Sequence, residues 1–300
     1  MRLAIAFLLT LSTAKSVGQE CGRKAGAGDI PILEYFEQKG NSLVNIRVPA
    51  MEGMECEMWC YEQENINAAV EHYKEDTGTL VLLHKNGKST ITSQFVPSAG
   101  AVDIYVTVTG PTEEDVRSVG GLNPCWQFEK SSTFSSADRE KYVEDFVARC
   151  FVILDSGLTL MKDTKRIPGT RERKGDKANL PNPWIQEYIP IWRRHPGQTK
   201  GQRGRSPDRP VYPIIGCVSR DGKYLAAIAW PETMSLGQVW HHCVHPRPRI
   251  LESYDKESNE IRSRARIYFM ENDGEKLIAA FRRDFPHWIR PDLGRTDRNR

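Results

Sequence analysis

The chain has 300 residues, of which 39% are hydrophobic and 27% charged, with a formal net charge of +3. This is the balance of an ordinary globular protein, and a charge that small gives no argument for a nucleic-acid partner. Only one apolar run is long enough to notice, at the N-terminus, so no membrane insertion is expected once that segment is removed.

Residues 1–18 read as a secretory signal peptide. Arg2 supplies a short positive start, and Leu3 to Leu11 form an apolar run too short to cross a bilayer. Small residues from Ser12 to Gly18 follow, and Cys21 comes after Glu20 rather than after a small residue, so no lipid anchor is expected. Export predicts a secreted or periplasmic protein in which disulfides are allowed. The roughly 280 remaining residues can bury a full core. Seven cysteines, at 21, 56, 60, 125, 150, 217 and 243, leave at least one unpaired within the chain. Cys56 and Cys60 are spaced C-x3-C, which suits neither a zinc knuckle nor a C-x2-C redox motif.

In chain order, Ile30 to Gln38 predicts a short helix and Asn41 to Val48 a strand. A short strand is expected at Cys56 to Tyr61. A helix is expected over Glu62 to Asp76, from Ile66, Ala69, Val70 and Tyr73. Gly78 to Thr92 predicts a hairpin turning at Asn86-Gly87. In Ala101 to Thr109, Val102, Ile104, Val106 and Val108 alternate with polar residues, which predicts a strand with one buried face. Short helices are expected at Pro111 to Val119 and Ser136 to Phe146, and 120–126 reads as a loop. An apolar strand follows at Cys150 to Leu154 and runs into a turn at Asp155-Ser156-Gly157, after which comes Leu158 to Met161.

Two basic, glycine-containing stretches, near 162–179 and 192–209, read as solvated insertions. Tyr212 to Ser219 and Lys223 to Trp230 predict a second hairpin, with Asp221-Gly222 as a tight primed turn. Tyr224, Ala226, Ile228 and Trp230 face one way, while Leu225, Ala227 and Ala229 face the other. Both sets are apolar, as in a central strand covered on both sides. After a break at Pro231-Glu232-Thr233, an extended segment is expected to resume from Leu236 to Val244. Glu260 to Met270 predicts a strand with an apolar set and a basic set. Asp273 to Phe285 predicts a helix through Leu277, Ile278, Phe281 and Phe285. Residues 291–300 read as a mobile tail.

Many short strands with few helices predict a mainly β protein. The expected architecture is an antiparallel β-sandwich or supersandwich with a few peripheral helices, forming one large domain over 19–290. No nucleotide-cradling GxGxxG or GxxxxGK[ST], no HExxH and no GxSxG occurs, so no cofactor is specified.

The dense run Trp240-His241-His242-Cys243-Val244-His245 is the candidate site. If it is extended, His241, Cys243 and His245 share one face, and Trp240, His242 and Val244 the other. Three readings follow. In a carbohydrate-binding or carbohydrate-modifying protein, Trp230 and Trp240 stack on sugar faces, and His242 works as acid or base with Glu232 as its carboxylate partner. His241 and His245 complete the ligand contacts, and the partner is a polysaccharide. In a non-catalytic extracytoplasmic structural or interaction module, both tryptophans are buried and no histidine meets a carboxylate. In a metal-binding protein, His241, Cys243 and His245 are the ligands. A structural reading of the same run puts Cys243 in a disulfide.

The segments DGKYLAAIAW, SLGQVWHHCVHPRP and ARIYFMENDGEKLIAAFRRDFP, within Val211 to Pro286, resemble secreted bacterial β-sandwich domains of the supersandwich type. These are similar to galactose-mutarotase-like folds. The resemblance implies broad layered sheets with a concave face and an association with glycan breakdown. In mutarotase-like enzymes a histidine and a carboxylate act on a sugar hemiacetal. Their motifs have no residue-by-residue match here, so the resemblance assigns no catalytic role.

Overall fold

A computed structural model describes residues 29–38, 41–59, 70–86, 89–110, 124–135, 146–165, 187–194, 205–238 and 242–289. Its strands are β1 (Ile32–Gln38), β2 (Asn41–Arg47), β3 (Glu55–Trp59), β4 (Val70–Lys74), β5 (Leu80–Asn86) and β6 (Ser89–Ser98). Then come β7 (Ala101–Thr109), β8 (Cys125–Gln127), β9 (Cys150–Leu154), β10 (Gly157–Leu160), β11 (Glu187–Tyr188) and β12 (Ile214–Val218). The last are β13 (Tyr224–Ala229), β14 (Thr233–Gln238), β15 (Cys243–Pro248), β16 (Tyr254–Asp255) and β17 (Glu260–Glu271), followed by the helix α1 (Gly274–Asp284).

The strands form two antiparallel sheets. The first runs β1-β2-β3-β8-β15-β14-β11; the second runs β10-β9-β12-β13-β17-β7-β6-β5-β4, with β16 paired to β17. The expected mainly β sandwich is what forms, and α1 is the only α-helix among the described residues.

One core fills the space between the sheets. Leu33, Ile46, Met58, Trp126, Leu236 and Val244 come from the first sheet, and Phe95, Ile104, Val106, Ile228 and Ile267 from the second. A second cluster lies on the outer side of the second sheet, where Phe151, Leu225, Ala227, Ala229 and Tyr268 meet Leu277 and Phe281 of α1. Strand β13 is therefore covered on both faces, as its two apolar sets require: Ala226, Ile228 and Trp230 face the sandwich core, while Leu225, Ala227 and Ala229 face α1. Burying Leu277 and Phe281 contributes about 2 kcal/mol each to docking the helix. Asp273 caps it by accepting the Lys276 N–H at 2.9 Å.

Several expectations change. Ile32–Gln38 is strand β1, not helix: Leu33 and Tyr35 turn to the core, while Ile32 and Glu34 are exposed, a period of two set by full-length pairing with β2. Val70–Lys74 is strand β4, paired with β5, and the remainder of the helix expected over 62–76 lies mostly outside the described residues. The Asp221-Gly222 hairpin forms, but with a wider loop. Val218 pairs with Leu225, the Gly222 N–H bonds the Ser219 carbonyl at 3.0 Å, and Gly222 takes φ +74°. Asp221 Oδ1 accepts from the Ser219 hydroxyl at 2.7 Å and from the Lys223 N–H at 3.1 Å, and these bonds hold its carboxyl down to about 2. The extended run expected from Leu236 to Val244 is instead two antiparallel strands, β14 and β15, with 239–241 outside the described residues.

The C-terminal end of the second basic stretch is pinned rather than solvated. Arg205 is 5% exposed and meets Glu187, and Arg209 donates to the carbonyls of Ile189 and Ile191 at 3.3 and 2.9 Å. The signal segment 1–18, the helices expected within 111–119 and 136–145, most of the basic stretches and the 291–300 tail lie outside the described residues. Among the described residues, no helix is long and apolar enough to cross a membrane.

Candidate metal centre

Strands β8, β15 and β14 lie side by side in the first sheet, and alternation divides their side chains between its two faces. Trp126, Val244 and Leu236 enter the sandwich core. Cys125, Cys243, His245, Arg247 and Ser235 therefore stand on the opposite, outer face.

On that face the register brings distant residues together. Gln127 pairs with Cys243 and Trp126 with Val244, so Cys125 falls beside His245, with Cys243 one pleat along. Cys243 Sγ lies 3.2 Å from His245 Nε2, and the ligand-type atoms of Cys125, Cys243 and His245 are all within 4.8 Å of one another. Cys243 is fully buried, His245 is 4% exposed and Cys125 9% exposed. A hydrogen bond from the Cys243 thiol, helped by the charge and ring N–H of His245, holds the Cys125 thiol well below its usual range despite burial.

Next to this cluster the row continues across the sheet. Gly237 pairs with His245 on one side and with Glu187 on the other. Glu187 Oε1 accepts from Ser235 Oγ at 2.8 Å and from Arg247 Nη1 at 3.0 Å, while Oε2 accepts from Arg205 Nε at 3.0 Å. Burial pushes the Glu187 carboxyl up, but Arg247, Ser235 and Arg205 together outweigh it and hold it below its usual value.

The other expected site residues do not converge. Trp230 is 2% exposed; its ring lies in the sandwich core and its Nε1 donates to Ser263 Oγ at 2.7 Å, so it offers no face to a sugar. Glu232 stands at one end of the β14–β15 hairpin, next to Thr233, which pairs with Pro248. It accepts from Ser253 Oγ at 2.8 Å, and burial pushes its carboxyl up. His242 stands at the other end, before Cys243, buried with its ring edge-on to Phe146 at 5.4 Å between centroids. Six strand residues separate the two, roughly 20 Å at the usual rise, so His242 and Glu232 do not form an acid–base pair. Trp240 and His241 lie outside the described residues.

Cys243 and His245 do share a face, as expected, and the structure adds Cys125. Sequence reading missed it because 120–126 looks like loop. The one available signal was the alternation of Cys125 and Gln127 about the apolar Trp126. The expected disulfide at Cys243 does not form: none of Cys56, Cys125, Cys150, Cys217 and Cys243 is disulfide-bonded. Cys56 faces the core, accepts from Trp126 Nε1 at 3.1 Å, and is pushed far up by burial.

Two thiols and an imidazole form a donor set for zinc, copper(I) or a similar borderline-to-soft ion, not for calcium or magnesium, which take oxygen ligands. Zinc–sulfur bonds of about 2.3 Å and zinc–nitrogen bonds of about 2.0 Å at tetrahedral angles separate ligand atoms by roughly 3.5–3.8 Å. The 3.2 Å between Cys243 Sγ and His245 Nε2 and the 4.8 Å that bounds all three atoms bracket that spacing. No family model and no curated protein matches the chain.

Proposed function

We propose that this chain is a metal-binding β-sandwich protein that holds one zinc-class ion through Cys125, Cys243 and His245. The observation that carries this is the meeting of those three ligand atoms within 4.8 Å of one another on a buried sheet face. Two thiolates balance a divalent cation, so the loaded centre is locally neutral and suited to burial. Neighbouring strands of one sheet supply all three ligands, a rigid frame that fixes their spacing.

A non-catalytic role fits the surroundings best. Trp230 is packed away and His242 stands far from Glu232, as a structural or interaction module was expected to show. The reading as a carbohydrate site draws no support from that geometry.

The test is a cobalt(II) titration of the purified full chain. Thiolate-to-cobalt absorption should saturate at one equivalent and be displaced by zinc. Cys125→Ser, Cys243→Ser and His245→Ala should each weaken binding at least about 100-fold. Cys56→Ser, on the other face of the sheet, should leave it unchanged. A wild-type chain that takes up no metal, or a Cys125→Ser/Cys243→Ser chain that binds equally well, refutes the proposal.

A further inference from the structure

A second pair of thiols lies away from this centre, in the other sheet. Cys150 begins β9 and Cys217 lies within β12, and the two are direct cross-strand partners. Both are fully buried on the core face of the sheet. The type of pairing is readable from the backbone. The Cys150 N–H turns back to the Phe146 carbonyl at 3.2 Å, closing the 3-10 turn Val147–Arg149 instead of bonding across to Cys217. The pair is thus of the non-hydrogen-bonded kind, whose Cα atoms sit about 4.5 Å apart with side chains drawn together. That spacing lies inside the range a disulfide spans, roughly 4.4–6.8 Å. On the other flank of Cys217 stands Ala226, small enough to leave the sulfur room to turn.

We infer that Cys150 and Cys217, which are thiols in this structure, are a built disulfide site that oxidation closes into a covalent staple between β9 and β12. The observation is independent of the metal centre. Neither sulfur is reachable in the folded sandwich, so the bond forms while the chain folds, by exchange with a small-molecule disulfide such as oxidised glutathione. One cysteine, as thiolate, attacks the glutathione disulfide and releases one glutathione thiolate. The other, having given its proton to solvent, attacks the mixed disulfide and releases the second. Two protein thiols and one disulfide become one protein disulfide and two thiols, so atoms and electrons balance. The staple closes a loop of roughly 67 residues that contains both basic stretches, and it restricts the unfolded chain accordingly.

The test is to unfold and reduce the full chain, refold it with oxidised glutathione, alkylate the remaining thiols, and map the peptides by mass. The expected result is a joined Cys150–Cys217 pair, lighter by two hydrogens. The unfolding temperature should lie about 10 °C above that of the same protein refolded under reductant. With Cys217→Ser, Cys150 should be recovered alkylated. Recovery of both cysteines alkylated from the oxidised wild type overturns the inference, as does a bond from Cys150 to Cys243. Because the wild-type map decides, a variant that fails to fold leaves the answer intact.

Discussion

Arg247 reaches past the bare backbone of Gly237 to place Nη1 3.0 Å from Glu187 Oε1. A Cβ on Gly237 would lie 4.0 Å from the guanidinium, an ordinary van der Waals contact, so the arginine packs over this stretch of backbone. Glu187 answers two arginines at once, Arg205 with a side chain 6% exposed and Arg247 with one 27% exposed. Glu187→Gln removes the carboxylate charge that both arginines meet and is expected to cost about 2–4 kcal/mol, read as a lower urea midpoint at pH 7. The folded carboxyl lies below its ordinary 4.5, so the stabilisation is present above that value and fades as pH falls below it. The gap between wild type and variant should close in acid. Equal midpoints at pH 7 would show that the network contributes nothing.

Metal should also register as stability. An ion that binds only the folded chain adds about 2.7 kcal/mol at a hundred times its dissociation constant. For a chain of this size that corresponds to a rise of roughly 4–5 °C in unfolding temperature. Calorimetry with zinc and then with excess chelator should show the shift appear and vanish in the wild type. In Cys243→Ser the two scans should coincide. A zinc-dependent shift that survives in Cys243→Ser would move the ion elsewhere.

What the sequence disclosed follows from which signals are local. The alternation of Val102, Ile104, Val106 and Val108 marks β7 because the sandwich buries one face of it. The two apolar sets of β13 announce a strand covered on both sides, and Asp273 announces the start of α1. Ile32–Gln38 deceived because Leu33 and Phe36, three residues apart, fit a helical spacing, whereas pairing with β2, not propensity, decides. The candidate metal centre was half visible. Cys243 and His245 are two residues apart and declare a shared face, whereas Cys125 reaches them only through the register of a three-residue strand. Trp230 belongs to the apolar set of β13 that faces the sandwich core, so the alternation of that strand already implies its burial.

The burial of Trp230 makes Ser263 a structural residue. Its hydroxyl takes the buried indole N–H at 2.7 Å. Ser263→Ala leaves that donor without an acceptor and should cost about 1–3 kcal/mol, measured by denaturant unfolding. Trp230→Ala, which also empties a large volume, should cost about 3–5 kcal/mol. An unchanged midpoint in either variant would mean that the ring is not packed as described.

The last expectation concerns pH. His84 on β5 is 1% exposed, and burial lowers its imidazole from 6.5 to about 4. The folded state holds it neutral, while the unfolded chain protonates it near its ordinary value. Above pH 6.5 both states are neutral and its contribution is fully present; as pH falls toward 4 the unfolded chain gains a proton that the folded chain refuses, and stability is lost. The shift corresponds to about 2–3 kcal/mol across that window. Urea midpoints taken between pH 7 and 4 should therefore fall in the wild type. In His84→Gln, which cannot titrate, the slope from this residue should be gone, leaving the carboxylates to set the remaining fall. Parallel curves for the two proteins would place the pH dependence in some other group.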